Sequence, residues 1–398
     1  MVNFQEASEI VFAQARSWGT EEVLLDGAFG RVLAETVLAD RDYPPFPRAT
    51  MDGYALRYAD LERGVRRFRV ADIVFAGSRP AGQLSGGECY KIMTGAAVPG
   101  DADMVVRRED VGEGEAEIEV GGLLPDSWRP FLNIARQGED LRAGDLVIDK
   151  PCRVSPAVMG LLATLGRSTV KVARAPRVGL VTTGNEVVEP GGVVSLVQIR
   201  NSNRWMLMAA LREQRVEVSM SAHAVDDPEQ LTRDLQRFLD MDILIITGGV
   251  SAGDADHVPA VLEQLGVRRL FHKIAMRPGK PTWCGVSPRG GMVFALPGNP
   301  FSCFVSFALL IAPFIHACWG LERTLPMALP LGAARPKRTP LDEFFPVRVE
   351  GSPAMLTQMP LNGSGDIRMG MQANALALHP ATAGDLERGA LVAVYSFV

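Results

Sequence analysis

The hydrophobic positions of this chain recur with more than one period, and the changes of period divide it. Phe4, Ala7, Ile10, Val11 and Ala15 fall on one face at helical spacing, which predicts an amphipathic helix over 3–18. A second helix is predicted over 26–34, ahead of Asp40-Arg41-Asp42-Tyr43-Pro44-Pro45-Phe46-Pro47. The prolines there stiffen the chain and exclude regular structure. From about 54 to 150 the apolar runs shorten and glycine turns separate them, at Arg67–Ala76, Glu88–Met93, Met104–Arg108, Glu115–Val120 and Leu146–Ile148. This texture predicts a small β-rich domain. A helix over Pro156–Leu165 then leads to Val170-Lys171-Val172.

Beyond residue 176 the pattern changes again. Strands predicted over Arg177–Val181, Val216–Ala224, Ile243–Ile246, Leu270–Ala275 and Met292–Leu296 alternate with helices over Asn203–Gln214, Pro228–Asp240, Val258–Leu265 and Pro300–Cys318. Such alternation predicts a mostly parallel sheet covered by helices on both faces. After Pro326 the short strands and turns return, as in a small β-barrel or sandwich. The fold class is therefore multidomain α/β. The most apolar window, Phe301–Leu321, is long enough to raise the question of a membrane span. Ser302, Ser306, Pro313 and His316 interrupt it, and Asn299-Pro300 supplies a cap and first turn, so it reads as a buried core helix.

Composition narrows the function more than the fold. A net charge of -5 over 398 residues argues against a general nucleic-acid binder. The one basic run, Arg63–Arg69, reads as a solvated turn and strand edge. Five scattered cysteines and dispersed histidines give neither a Cys-x-x-Cys pair nor zinc spacing. Reduced thiols and a cytoplasmic location are expected, with no membrane partner; the start of the chain has no basic and apolar segment of the kind a signal peptide needs.

The chemistry is concentrated in loops that follow the α/β strands. These are Thr182-Thr183-Gly184-Asn185-Glu186, Thr247-Gly248-Gly249-Val250-Ser251-Ala252-Gly253-Asp254-Ala255-Asp256, Arg277-Pro278-Gly279-Lys280-Pro281 and Leu296-Pro297-Gly298-Asn299-Pro300. In an open α/β sheet such loops gather at the carboxyl edge, where ligands bind. Glycines let backbone amides approach an anion. Gly279-Lys280 is followed by Pro281, so it is not a P-loop, and the Gly249–Gly253 segment lacks dinucleotide-site spacing. A phosphate or pterin cradle built from backbone amides, Ser251, Lys273, Arg277 and Lys280 remains. Glu186, Asp226 and Asp256 are candidates for a hard divalent cation, whereas Asp227 before Pro228 reads as a helix cap and Asp254 as a turn residue. In the N-terminal half, Met51-Asp52-Gly53-Tyr54-Ala55, Thr94-Gly95-Ala96 and Gly138-Glu139-Asp140 each read singly as a turn.

Taken together and in order, these motifs resemble the molybdopterin molybdenumtransferase family of molybdenum-cofactor biosynthesis, to which the gephyrin E domain is related. The likeness runs over essentially the whole chain and includes Gly363-Ser364-Gly365 before Ala373-Asn374. It implies a helical linker domain in two pieces (1–50 and 140–175), a small β-rich domain (51–139), an α/β molybdopterin-binding domain (176–326) and a C-terminal β-barrel-like domain (327–398). It also implies a homodimer whose cleft joins two chains, and a molybdopterin adenylyltransferase as upstream donor. The implied reaction takes adenylylated molybdopterin and molybdate to molybdenum cofactor and AMP, with Mg2+. Carried over, Asp52, Thr94, Asp140, Glu186, Asp226 and Asp256 are the catalytic residues, with Asp226 and Asp256 on the metal. Gly184, Gly248, Gly249, Ser251, Gly253, Lys273, Arg277, Lys280, Pro297, Gly298, Asn299, Pro300 and Ser364 bind the ligand anions.

The chain departs from the family pattern at four places. Asn185 and Asn201 stand where Asp is common, Ala135 where Arg is frequent, and Arg277 where the motif has Lys. A non-catalytic carrier or scaffold paralogue is the alternative those changes suggest. Retention of Asp52, Glu186, Asp226 and Asp256 favours the enzyme.

Overall fold

The computed structural model describes the chain except for residues 81, 122–125, 251–256, 367, 369–370 and 398. It divides into two compact units. One comprises Met1–Ala34, Pro151–Met159 and Thr169–Val398, the other Glu35–Lys150 and Gly160–Ser168.

The first unit is organised by a six-stranded sheet. Its order is Val218–Ala224, Val178–Thr183, Ile243–Thr247, Met292–Leu296, Trp283–Val286, Arg268–His272. The first four strands are mutually parallel. The last two add antiparallel, so the sheet is mixed at one edge, and the strand Trp283–Val286 is not among those the pattern predicts. Alternation sends successive side chains to opposite faces. Leu180, Ile243, Ile245, Phe294 and Leu296 pack with Leu207 and Leu211 of helix Ser202–Glu213 and with Phe301 and Ile315 of the long apolar helix. Val181, Leu244, Ile246, Val293 and Ala295 pack on the other face with Leu231 and Leu235 of helix Pro228–Gln236 and Val261 and Leu262 of helix Val258–Gln264. Both faces are thus covered, as the pattern predicts.

The helix Pro300–Cys318 has 72% of its most apolar window buried, which makes it a core helix of this unit. Its middle, Phe307–Ile311, takes the wider π-helical winding just before Pro313. Proline donates no amide hydrogen and its ring crowds the preceding turn, so the local widening lets the helix continue through it. Asp227 caps Pro228–Gln236, its side chain accepting from the Gln230 amide at 2.8 Å, as its place before Pro228 predicts.

Two elements near the N-terminus differ from expectation. The first helix is shorter, Phe4–Phe12, with an Asn3–Glu6 capping box at its start. The expected second helix over 26–34 is absent: a 3-10 turn at Leu25–Gly27 gives way to a strand at Val32–Leu33. Gly30 takes a φ of +76°, which ends any helical run there. Val32–Leu33 instead joins a sheet with Thr20–Leu24, Thr169–Ala173 and Cys152–Arg153. The C-terminal residues form another sheet in this unit, in which Asp342–Glu350 pairs with Met276–Arg277, Met355–Gln358 and Ala375–His379.

The second unit holds a six-stranded sheet of order Met104–Arg107, Gly53–Leu56, Glu88–Ile92, Arg67–Val74, Glu117–Val120, Val111–Glu113. The basic run does not end at a sheet edge as expected: Arg67–Val74 is an interior strand, on which Arg67 and Arg69 are exposed and pair with Glu119 and Glu88 of the two neighbouring strands. Gly53 opens an interior strand of this sheet with no room for a side chain, since a Cβ there would lie 1.9 Å from the Val106 carbonyl oxygen. Gly53→Ala is expected to destabilise this unit by about 3 kcal/mol, because the obstacle is backbone that cannot rotate away. Urea unfolding monitored within the unit tests this; an unchanged midpoint would refute it.

Candidate active site

Three strands of the parallel sheet end together. Thr182 lies beside Thr247, and Thr247 beside Leu296, so the loops after them start at one level. The Thr183 hydroxyl donates to the Thr247 carbonyl at 3.3 Å and ties two of these ends. Gly248 then turns with φ +94°, and a Cβ on it would lie 2.5 Å from Thr183 Oγ1. Only glycine meets both demands.

The loops enclose a cleft of about 730 Å³ whose lining includes Gly184, Glu186, Asp226, Gly248, Gly249, Pro297, Gly298, Asn299 and Pro300. Nine of the anticipated residues therefore meet in one place. Asn185 joins its loop to the next one reciprocally: its amide nitrogen donates to Asp226 Oδ2 at 3.3 Å, and its side-chain oxygen accepts from the Asp226 amide at 3.2 Å. Asn299 begins the long helix, but its side chain makes no cap. It reaches instead to Ser364, donating to the hydroxyl at 3.0 Å, while the Phe301 amide bonds the Ser364 carbonyl. Those two bonds bring the C-terminal segment to the cleft, where Gly365 is part of the wall.

Arg277 and Ser364 line a second cavity, of about 310 Å³, together with Arg335, Arg338 and Glu343. Glu343 is almost wholly buried and accepts from Arg335 at 3.1 Å, from the Arg338 amide and from the Thr339 hydroxyl. Burial alone would raise its pKa, but the Thr339 hydrogen bonds and the charge of Arg335 hold it below the usual carboxylate range. Arg335 also lies over the Phe345 ring, 3.9 Å from its centre. Arg335, Arg338 and Asn203 are lining residues that sequence reasoning missed. No local motif marks them: Arg335 is aligned by a carboxylate from a neighbouring strand, and Asn203 by donating to the Gly298 carbonyl at 2.7 Å.

Lys273 and Lys280 line neither cavity. Lys273 takes a left-handed φ of +71°, and its amide donates to the Thr282 carbonyl. Lys280 accepts from the Ile274 amide and precedes Pro281, which does line the larger cleft. Ser251, Gly253, Asp254 and Asp256 lie outside the described residues.

Asp52, Thr94 and Asp140 belong to the second unit. Asp52 and Thr94 form a close pair: one carboxylate oxygen accepts from both the Thr94 amide and its hydroxyl, each at 2.7 Å. Those bonds lower the Asp52 pKa, the amide bond more than the hydroxyl. The Asp140 amide donates to the Tyr43 carbonyl at 3.0 Å, which places it against the proline-rich loop.

Residues 2–166 match the family described as the MoeA N-terminal region, domains I and II, and residues 179–317 that described as a probable molybdopterin binding domain. A molybdopterin molybdenumtransferase of Synechococcus elongatus is 35% identical, with all of each chain covered. One of Bacillus subtilis is 34% identical over 94% of this chain and 89% of its own. Among solved structures, the molybdopterin biosynthesis moeA protein of Pyrococcus horikoshii superposes with a TM-score of 0.82 at 34% identity, covering 100% of this chain and 99% of that one.

The Asp52–Thr94 pair can be tested alone. Thr94→Val removes the hydroxyl donor and keeps the amide, so the Asp52 pKa should rise part of the way toward an ordinary aspartate. Carboxyl-carbon NMR titration reads this directly; an unmoved titration would show that the hydroxyl contributes nothing.

Proposed function

This chain belongs to the molybdopterin molybdenumtransferase family, enzymes of molybdenum-cofactor biosynthesis, and from that premise we propose that it inserts molybdenum from molybdate into adenylylated molybdopterin and releases AMP. The observation that carries the reading is the pairing of two cavities in one unit, one bearing glycine-rich turns, two carboxylates and Arg200, the other three arginines around Glu343. A phosphorylated pterin fits the first. Its phosphates would meet the amides of Gly249 and of the Gly298-Asn299 turn, the Gly248 amide being taken by the Leu296 carbonyl. Molybdate, a tetrahedral dianion, suits the second. Arg277, Arg335 and Arg338 offer charge there and Ser364 a hydroxyl.

The donor set of the larger cleft is compatible with magnesium, which binds through one or two carboxylates and keeps the oxygens of water and substrate phosphates. Asp226 is the described carboxylate assigned to it, and Asp256 is assigned by family resemblance. The ion would neutralise charge on the phosphates of the anhydride that is cleaved. The chain supplies no nucleophile in this scheme: its residues hold two anions close together, and Glu186 orients or deprotonates a water or ligand hydroxyl. Asp52, Thr94 and Asp140 are assigned to the reaction by resemblance, as is a homodimer that receives its substrate from a molybdopterin adenylyltransferase. A cytoplasmic location accords with five unbridged cysteines.

The deciding assay is AMP release from adenylylated molybdopterin with molybdate and magnesium each present or omitted. Release that needs both is expected; tight binding without release would overturn the proposal in favour of a carrier. Glu186→Gln should lower turnover about 100-fold while leaving ligand affinity within a few-fold. Equal loss of both would reassign Glu186 to binding.

A further inference from the structure

The segment that carries Glu186 is held from behind by a network that none of the roles above uses. Val187–Val188 and Ile199–Arg200 run side by side as a short parallel ribbon at the mouth of the larger cleft. The Ile199 amide donates to the Glu186 carbonyl at 2.8 Å, and the Asn201 amide to the Val188 carbonyl at 2.8 Å. Anything that fixes residue 201 therefore fixes the backbone of Glu186.

Asn201 is 3% exposed, and each of its side-chain hydrogen-bonding groups is engaged. Its oxygen accepts from the Arg204 amide at 3.2 Å and caps helix Ser202–Glu213. Its nitrogen donates to Thr182 Oγ1 at 2.9 Å and to Glu189 Oε1 at 3.2 Å. Thr182, having accepted this bond, has its own proton free for His223 Nδ1 at 3.0 Å. Arg204 donates to the same Glu189 oxygen at 3.0 Å and to Ser221 at 2.8 Å.

A carboxylate at 201 would keep the helix cap but lose both donated bonds. It would also face the Glu189 carboxylate at hydrogen-bond distance, and Arg204 would have to serve two anions. We propose that Asn201 is a positioning residue of this site: its amide, clamped between Thr182 and Glu189, holds the ribbon that carries Glu186, and Glu189 makes an amide obligatory there. This accounts for Asn where the family commonly has Asp, and it makes position 201 a matched exchange with no loss of a catalytic charge. It deepens the transferase reading and rests on it for its effect on turnover.

The test is a cycle of Asn201→Asp, Glu189→Gln and the double variant, with hydrogen exchange of the backbone amides at positions 199 and 201 measured beside AMP release. Asn201→Asp should speed exchange of both amides at least tenfold and lower kcat at least tenfold, with the urea midpoint and the affinity for molybdopterin little changed. Glu189→Gln keeps an acceptor oxygen and should behave as the wild type. The double variant should recover to within about threefold in both readouts, since the second anion is gone. Wild-type behaviour of Asn201→Asp, or a defect that Glu189→Gln does not relieve, would overturn the proposal. If Asn201→Asp does not fold, the double variant against Glu189→Gln decides the same question. A wild type without AMP release would refute the transferase reading alone, because the exchange rates report the clamp without any turnover.

Discussion

The register of three parallel strands governs the rest of this structure. Val178–Thr183, Ile243–Thr247 and Met292–Leu296 are buried along their whole length. Side chains alternate between two cores, so a slip of one residue would exchange every partner on both faces. The same register makes Thr182, Thr247 and Leu296 level with one another, and the Gly184, Gly248-Gly249 and Pro297-Gly298 turns of the cleft start from that level. Hydrophobic packing, which has no directional chemistry of its own, thereby sets the spacing of amides and carboxylates.

Charge is unevenly spread within this frame. Glu186, Asp226 and Arg200 line the larger cleft, while Arg277, Arg335 and Arg338 line the smaller one around a buried Glu343. That buried glutamate is more useful as an aligner than as a source of stability. A desolvated ion pair gains little over an apolar replacement, but it fixes the guanidinium in one orientation. Asn201 does similar work for the carboxylate cleft without adding a charge.

Much of this was legible in the sequence, for identifiable reasons. The buried strands announce themselves as apolar β-branched runs, Asp227-Pro228 as a helix start, and the Thr-Gly, Gly-Gly and Pro-Gly-Asn-Pro turns as the strand-end loops that do line the cleft. Local patterns failed where the decisive partner is remote. Residues 26–34 have helical spacing, yet Gly30 breaks the run and Val32–Leu33 pairs with strands from 152–153 and 169–173. Trp283–Val286 is too short, too close to Pro281 and interrupted by Gly285, and becomes a strand because Met292–Leu296 offers an edge. Asp52 and Thr94 each read as an ordinary turn until the fold puts one on the other. Asn201 reads in the sequence as a lost carboxylate; its two acceptors show it to be a donor.

The contact of Asn299 with Ser364 has a bearing on how the protein is made. The carboxylate cleft is nearly complete once residue 300 has been synthesised, but its last wall and all of the arginine cavity except Arg277 and Pro278 come from residues 335–365. The strand Asp342–Glu350, which seats those residues, pairs with Met276–Arg277 and needs Ala375–His379 as its other neighbour. A nascent chain on the ribosome can thus fold its parallel sheet early. It acquires its last wall only after residues 335–379 have emerged, so chains truncated before them would carry the glycine turns without the means to close them.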